Sequence, residues 1–346
     1  MIRFEAATEA DDKELRALLR DNDMPSWVNM SLQREPSFFA GMNQVTRDYA
    51  VIARDDGQAI GMYTCSQQSV HFNGDSCTLG YLGGLRVIPS HRNRIRILRD
   101  GYASIARLVA AGSLPFWFTS VARGNSPARR LLEAGLPGMP RYYPANELFT
   151  FALPVSQGRR INLWRQATEA DIPGMIDFHN REASKFQFAT VLSEAWIRHI
   201  GLQHFLVYGE QDIRACLAIW NQSAFKQVIA KSYRPPLQAI RPLYNAFATM
   251  ARRVRLPAIG QPFSQTFLAF ATFADSAMPL AVELLRDALS QCSSEAAIIA
   301  LHDRHPLMAE LARFKPFVYR TRIYAVSFAD APAMDGRPAQ PEAALL

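Results

Sequence analysis

Apolar and polar residues follow two periods along this chain, one typical of strands and one typical of helices. In the first half they predict strands at 49–53, 59–66, 80–87, 116–121 and 147–153, and helices at 11–22, 35–44, 92–111 and 126–134. The turn residues Asn73 and Gly74 predict a tight hairpin over 69–78. The second half shows a similar order of elements and ends in a strand at 319–328. The pattern predicts an α/β (α+β) fold.

One five-residue sequence, ATEAD, occurs at 7–11 and again at 167–171. Each copy follows a short apolar run and precedes a helical stretch. Thr8 and Thr168 stand where helix N-caps are expected, and the carboxylates that follow lie in a first turn with unpaired N–H groups. Because both copies lie at the same type of junction, the repeat predicts two copies of one fold.

The length of 346 residues fits two domains. We predict a first domain at 1–154, a linker at 155–160 and a second domain at 161–328. The remaining residues, 329–346, are rich in Ala and Pro and are predicted to form a disordered tail.

The formal net charge of +7 favours an anionic partner such as a phosphate-rich cofactor. Nucleic acid ranks last, because no recognised nucleic-acid-binding module is present. Four scattered cysteines without a CxxC pair indicate reduced thiols. No stretch approaches the ~20 apolar residues that span a bilayer, and the N-terminus has no apolar signal-peptide core. We therefore expect a cytoplasmic protein with neither a membrane nor a nucleic-acid partner.

The segment 81–105 carries the most chemistry, since a strand runs into Pro89 and a basic turn then opens a long helix. A helix N-terminus is an anion site, and arginines suit phosphates. The arginines of this segment beyond Pro89 are Arg92, Arg94, Arg96 and Arg99. On charge alone a solvated helix face is the commoner explanation. The flanking strand and the downstream segment at Asn125 favour an anion site instead.

These residues resemble the GNAT (GCN5-related) N-acetyltransferase superfamily. LRVIPSHR at 85–92 is similar to the end of that family's fourth strand and the start of its pyrophosphate loop, and Asn125 with Ala128 is similar to its Asn-x-x-Ala segment. The resemblance implies that the fourth strand splays from the fifth and that acetyl-CoA lies in the V-shaped gap. The second half resembles a diverged copy. The resemblance thus implies two tandem GNAT-like domains, each a mixed central sheet flanked by helices.

The resemblance also implies the site residues. Acetyl-CoA would be held by Leu85, Arg86, Val87, Arg92, Asn93, Arg94, Ile95, Arg96, Ile97 and Asn125. Ile95 and Ile97 stand at the family's two glycine positions, where they crowd the approach to phosphate. Leu132 stands where many members carry a tyrosine that acts as general acid, and no carboxylate lies within 77–87.

Other residues are weaker candidates for the catalytic acid and base. Tyr142 and Tyr143 are the nearest candidates for a catalytic acid, although packing aromatics are commoner. His71 and His91 are possible bases, although packing or surface roles are commoner.

The second half lacks the family's phosphate loop. Its equivalent turn, 273–279, contains neither arginine nor glycine, so we infer that this half does not bind acetyl-CoA in the usual way. The basic and aromatic stretch 225–241 is a candidate lining for the acceptor pocket. His302 and His305 have metal-ligand spacing but no third ligand nearby, so we expect no metal.

The sequence therefore predicts an acyl-CoA-dependent N-acyltransferase. It would move acetyl from acetyl-CoA by direct transfer to an amine of a small molecule or peptide. The alternative is a catalytically degraded GNAT fold that binds a ligand or regulates a partner. A homodimer is possible.

Overall fold

The protein is described by a computed structural model that covers residues 2–22, 28–42, 45–92, 94–108, 114–210 and 212–346. The first-half strands are β1 (Ile2–Ala6), β2 (Val28–Gln33), β3 (Arg47–Asp55), β4 (Gln58–Phe72), β5 (Asp75–Val87), β6 (Trp117–Ala122) and β7 (Arg141–Pro154). The first-half helices are α1 (Asp12–Asp21), α2 (Ile95–Leu108) and α3 (Ser126–Glu133).

The strands and helices of the second half are numbered on from those of the first. Its strands are β8 (Arg165–Gln166), β9 (Phe205–Tyr208), β10 (Ala215–Trp220), β11 (Gln227–Tyr233), β12 (Gln265–Phe273), β13 (Ala296–His302) and β14 (Phe317–Ser327). Its helices are α4 (Ile172–Ala183), α5 (Glu194–Ile200), α6 (Pro235–Met250), α7 (Ala281–Leu289) and α8 (Met308–Arg313).

The repeated ATEAD sequence forms the same structure twice. The amide and hydroxyl of Thr8 both donate to Asp11 Oδ2, at 2.8 and 3.1 Å. Thr168 donates to Asp171 Oδ2 in the same way, at 2.8 and 2.7 Å. A short 3-10 turn leads into α1 or α4 in each case. The two predicted N-caps and the structural repeat are confirmed.

The main sheet has 12 strands in the order β1-β3-β4-β5-β6-β14-β7-β13-β12-β10-β9-β8. The last strand of the second half, β14, lies between β6 and β7, and β7 pairs with β13 of the second half. The halves therefore exchange their final strands, and each completes the sheet of the other. A separate two-stranded sheet, β11 with β2, also joins the halves.

Two local predictions have opposite outcomes. The hairpin over 69–78 is confirmed, because Asn73 and Gly74 both adopt positive φ, at 52° and 95°, as a type I′ turn requires. The helix predicted at 35–44 is wrong, because only a short turn, Phe39–Gly41, forms there. Asp12 Oδ1 accepts hydrogen bonds from the Ser37 hydroxyl and the Phe38 amide, which holds the chain outside a helix. Residues 43 and 44 lie outside the described part.

The segment that begins the second half is docked on α7. The amides of residues 161–164 donate to the carboxylate of Asp287 at 2.9, 3.3, 2.7 and 3.1 Å. Burial acts to raise the pKa of Asp287, but the four backbone donors outweigh it and lower that pKa.

The disorder predicted for 329–346 is wrong. Ala339 and Ala344 are buried, and the Gln187 amide donates to the Pro338 carbonyl at 2.9 Å. The Lys226 ammonium donates to the Leu346 carbonyl at 2.7 Å. Small Ala and Pro side chains bury little area alone, but here they fill a groove and the backbone supplies the hydrogen bonds.

Candidate functional site

A V-shaped gap opens between two parallel strands of the first half. β5 and β6 pair only at Gly80 with Trp117 and at Tyr81 with Phe118, and then diverge. A Cβ on Gly80 would lie 1.8 Å from the Trp117 ring, so only glycine permits this close approach. The Thr119 hydroxyl closes the vertex by donating to the Leu82 carbonyl at 2.6 Å.

A β-bulge shapes the wall of this gap. Thr64 pairs with Gly83 and Met62 pairs with Arg86, so β5 carries one residue more than β4 between these pairs. The bulge contains Gly84, whose φ of +63° lies in the left-handed region. β-Bulges beside a site re-aim the backbone, and this one lies just beyond the last pairing of β5 with β6.

The second half repeats this bulge at the same register. Ala218 pairs with Ala269 and Cys216 with Thr272, and Phe270 between them has a φ of +52°. Phe270 therefore corresponds to Gly84. Its amide donates to Glu342 Oε2 at 2.8 Å, so the amide at this position of the bulge binds a carboxylate oxygen.

The second-half gap lies between β12 and β13, whose pairing ends at Phe267 with Ile298. These residues correspond to Tyr81 and Phe118. The gap is filled in part by 340–343, which leave a cavity of about 230 Å³. The exposed Asp275, at the mouth, is unfavourable for phosphate. These contacts support the inference that this half does not bind acetyl-CoA in the usual way.

The basic loop of the first half contains one arginine that holds the loop in place and two whose side chains are exposed. Arg92 donates to the Val87 carbonyl at 3.0 Å and to Asn22 Oδ1 at 2.8 Å, and thereby holds the loop. The Arg94 side chain is 56% exposed and the Arg96 side chain 86% exposed, both at the start of α2. Asn93 lies outside the described residues. Arg94 and Arg96 are thus placed to reach an anion at the helix N-terminus.

The isoleucines at the two glycine positions are accommodated differently. Ile97 is 3% exposed and packs against Ala53 and Ile60, so its side chain lies in the core. Ile95 is half-buried at the first position of α2. Asn125 caps α3, because its Oδ1 accepts from the Ala128 amide at 3.3 Å.

The residues proposed as acid and base do not converge on the gap between β5 and β6. Tyr142 pairs with Val326 at the closed end, and its hydroxyl bonds to that of Tyr102. Burial raises the pKa of Tyr142 well above its ordinary value. Tyr143 packs in the adjacent buried cluster, and His71 pairs with Ser76 at the far end of β4. Their positions argue against these assignments.

The side chains of His91 and Leu132 also contact neighbouring groups of the protein. His91 Nε2 lies 3.5 Å from Asp55 Oδ2 and its Nδ1 lies 2.9 Å from Ser90 Oγ, so both ring nitrogens face neighbours in the loop. Leu132 is buried at 8% exposure, as a packing residue of α3.

Other polar groups do face the gap. The Tyr81 hydroxyl lies 3.1 Å from Ser120 Oγ on β6, and burial raises the pKa of Tyr81. Partial burial also raises the pKa of Tyr319, although the positive charge of Arg86 acts to lower it. The Arg86 Nε has no hydrogen-bond partner within the described residues, and burial lowers the pKa of its guanidinium. Tyr81 lies in the segment that the sequence singles out, whereas Tyr319 comes from β14 and has no local signal.

Comparison with known proteins gives matches by structure only. No profile of a known protein family matches the chain, and no curated protein matches its sequence. N-myristoyltransferase of Saccharomyces cerevisiae, solved with bound myristoyl-CoA and inhibitors, matches at 11% identity and a TM-score of 0.63, over 98% of this chain and 84% of that one. A GCN5-related N-acetyltransferase from Sphaerobacter thermophilus matches at 12% identity and 0.56, over 98% and 97%. One from Anabaena variabilis matches at 9% identity and 0.53, over 94% and 72%.

The chain has the GNAT fold, in two tandem domains. This confirms the predicted fold class. In the first half β5 and β6 diverge beyond Tyr81 and Phe118, whereas the equivalent gap of the second half is filled in part by residues 340–343 of the chain itself.

The described residues include neither a metal-binding cluster nor a membrane-spanning helix. No group of three or more His, Cys, Asp and Glu residues within them could hold a metal ion. No helix among them combines the length and apolar character needed to cross a membrane.

Proposed function

We propose that the protein is an acyl-CoA-dependent N-acyltransferase whose first half, 1–154, holds the acyl-CoA. The observation that carries this proposal is the divergence of β5 from β6 beside the Gly84 bulge. The equivalent bulge in the second half binds a carboxylate oxygen through the Phe270 amide. By the same geometry the Gly84 amide would bind the carbonyl oxygen of a thioester.

The cofactor would enter with its pyrophosphate at the start of α2. Arg94 and Arg96 would face the phosphates, together with the backbone amide of Ile95. The Ile97 amide already donates to the Arg94 carbonyl at 2.9 Å, so it would hold the turn and not the cofactor. Arg92 would contribute indirectly, by holding the loop in place, because its guanidinium already binds Val87 and Asn22.

Acyl transfer would then proceed by direct attack. The amine nitrogen bonds to the thioester carbon, negative charge develops on the carbonyl oxygen, and the Gly84 amide stabilises it. The C–S bond breaks and CoA leaves as a thiolate. Tyr81, which burial keeps protonated, supplies a proton to the thiolate. It regains one, through Ser120 or water, from the attacking nitrogen, which carries a positive charge until it loses that proton and the neutral amide forms. The products are an amide and CoA.

We propose acetyl as the transferred group and an amine of a small molecule or peptide as the acceptor. Tyr319 and Arg86 flank the gap and are candidate contacts for that acceptor. A cytoplasmic location and a homodimer remain proposals.

Calorimetric titration tests this function. We expect acetyl-CoA to bind to the purified chain at about one per chain, and Arg94→Ala to weaken it. Myristoyl-CoA serves as the long-chain comparison, and an amine panel with detection of the released CoA thiol tests turnover. Absence of binding by any acyl-CoA would exclude the enzyme, and binding without turnover on any amine would favour the ligand-binding alternative.

A further inference from the structure

The second half contains an insertion that the first half lacks. In the first half a two-residue turn joins β4 to β5, whereas in the second half residues 221–264 lie between the equivalent strands, β10 and β12. The insertion contains β11 and α6. No Asp or Glu occurs between Asp212 and Asp275. The same stretch contains the cations Arg214, Lys226, Lys231, Arg234, Arg241, Arg252, Arg253 and Arg255.

Helix α6 exposes a stripe of large apolar side chains. Ile240 is 54% exposed, Leu243 75%, Phe247 51% and Met250 86%. Their spacing of three or four residues places them on one helix face. Isolated exposed apolar residues are common, but a contiguous stripe marks a binding surface.

A basic cleft lies directly beyond the end of this stripe. Its volume is about 500 Å³, and Ala251 and Arg252, which follow Met250, form part of its wall. The cationic lining residues are Arg159, Arg252, Arg286, Arg313 and Lys315. Guanidinium groups suit phosphate oxygens, so this cleft fits a phosphate group.

The stripe also adjoins the candidate acyl-CoA site. Tyr244 of α6 contacts Phe317 at the start of β14, with ring centroids 6.3 Å apart. Phe317, Val318 and Tyr319 are all at least 40% exposed. The apolar surface thus continues from α6 towards the residues that flank the gap.

We propose that α6 and the basic cleft bind the surface of an anionic membrane. The apolar stripe would enter the interface, and the cleft would hold lipid phosphate. An apolar helix face with cations beside it is the pattern of an interfacial helix. Association of two copies through this face would bring two basic insertions together, which is electrostatically unfavourable. The proposal revises the sequence-based expectation of no membrane partner and does not depend on acyl transfer.

Co-sedimentation of the full chain with lipid vesicles tests the proposal. We expect binding to phosphatidylglycerol vesicles that weakens with salt, and binding to phosphatidylcholine vesicles at least tenfold weaker. Leu243→Asp should lower the affinity at least tenfold. Lys315→Glu should lower it about fivefold or more, from ~1 kcal/mol for each cation near the surface. Leu280→Asp, at a 39% exposed apolar residue outside the stripe, should leave it unchanged.

Several results would overturn the proposal. One is failure to bind phosphatidylglycerol vesicles, and another is binding that Leu243→Asp does not change. Occupation of the cleft by glycerol phosphate without vesicle binding would indicate a soluble phosphate ligand instead. A dimer that Leu243→Asp dissociates, without vesicle binding, would indicate a second copy as the occupant. The assay contains no acyl-CoA, so its outcome is separate from that of the proposed enzyme.

Discussion

Replacing Gly84 with alanine is the most direct perturbation of the proposed site. The added Cβ would lie 2.8 Å from Thr64 Oγ1 and 3.1 Å from its Cγ2. Thr64 is a short side chain on the neighbouring strand, so the bulge itself must shift. We therefore expect Gly84→Ala to move the amide that would stabilise the oxyanion.

The expected loss of kcat/KM can be separated from the loss of stability that backbone strain alone causes. An L-residue in the left-handed region costs roughly 1–2 kcal/mol. Gly57 is the matched control, because its φ is +85° and a Cβ there would meet no atom within 4 Å. Both variants should lose similar stability from strain. Only Gly84→Ala should also lose kcat/KM, by about 10²–10³-fold, the usual effect of removing one oxyanion donor.

The assay is the initial rate of CoA thiol release with an acceptor amine, alongside urea unfolding of each variant. Adding Thr64→Ala to the Gly84→Ala chain removes both close contacts and should restore at least part of the rate. Equal kcat/KM for Gly84→Ala and Gly57→Ala would refute the assignment of the bulge amide.

Three further predictions address the remaining residues. Tyr81→Phe should lower kcat by about 10²-fold, the low end for a general acid, while Tyr143→Phe should not change it; the reverse would restore Tyr143 as the acid. Asp287→Ala should lower the unfolding free energy by about 3 kcal/mol, because it orphans the amides at 161–164. Since the folded pKa of Asp287 is lowered, its contribution is present above about pH 4 and is lost as pH falls through that pKa; a pH-independent loss in urea unfolding would contradict this. Arg94→Ala should weaken acyl-CoA binding several-fold, more at low salt, and unchanged affinity would exclude its phosphate contact.

Local sequence signals predicted much of the fold because their causes are local. The Asn73-Gly74 turn and the two Thr caps act within a few residues, and all three form. The exchange of β7 and β14 was not predicted, because strand pairing over such a separation leaves no mark in either segment. The ordered tail was missed for a related reason: Ala339 is buried only because the rest of the chain supplies its groove.

The candidate site likewise combines residues that the local sequence predicted with residues that distant parts of the chain bring to it. The segment 81–105 contains the bulge, the loop and Tyr81, and its resemblance to a known family located the gap. Tyr319 reaches this gap on an exchanged strand, so no pattern near 81–105 points to it. Tyr142 and Tyr143 are close to the site in sequence, but β7 places them at its closed end.

Under the proposed function, acyl-CoA occupies the gap of the first half and not that of the second. Ser120 and Ala300 are half-buried residues at equivalent positions of the two gaps, each two residues beyond the last pairing of its strand. Calorimetry with acetyl-CoA should therefore give about one site per chain, lost in Ser120→Trp and retained in Ala300→Trp. Two sites, retention in Ser120→Trp, or loss in a folded Ala300→Trp would contradict the account.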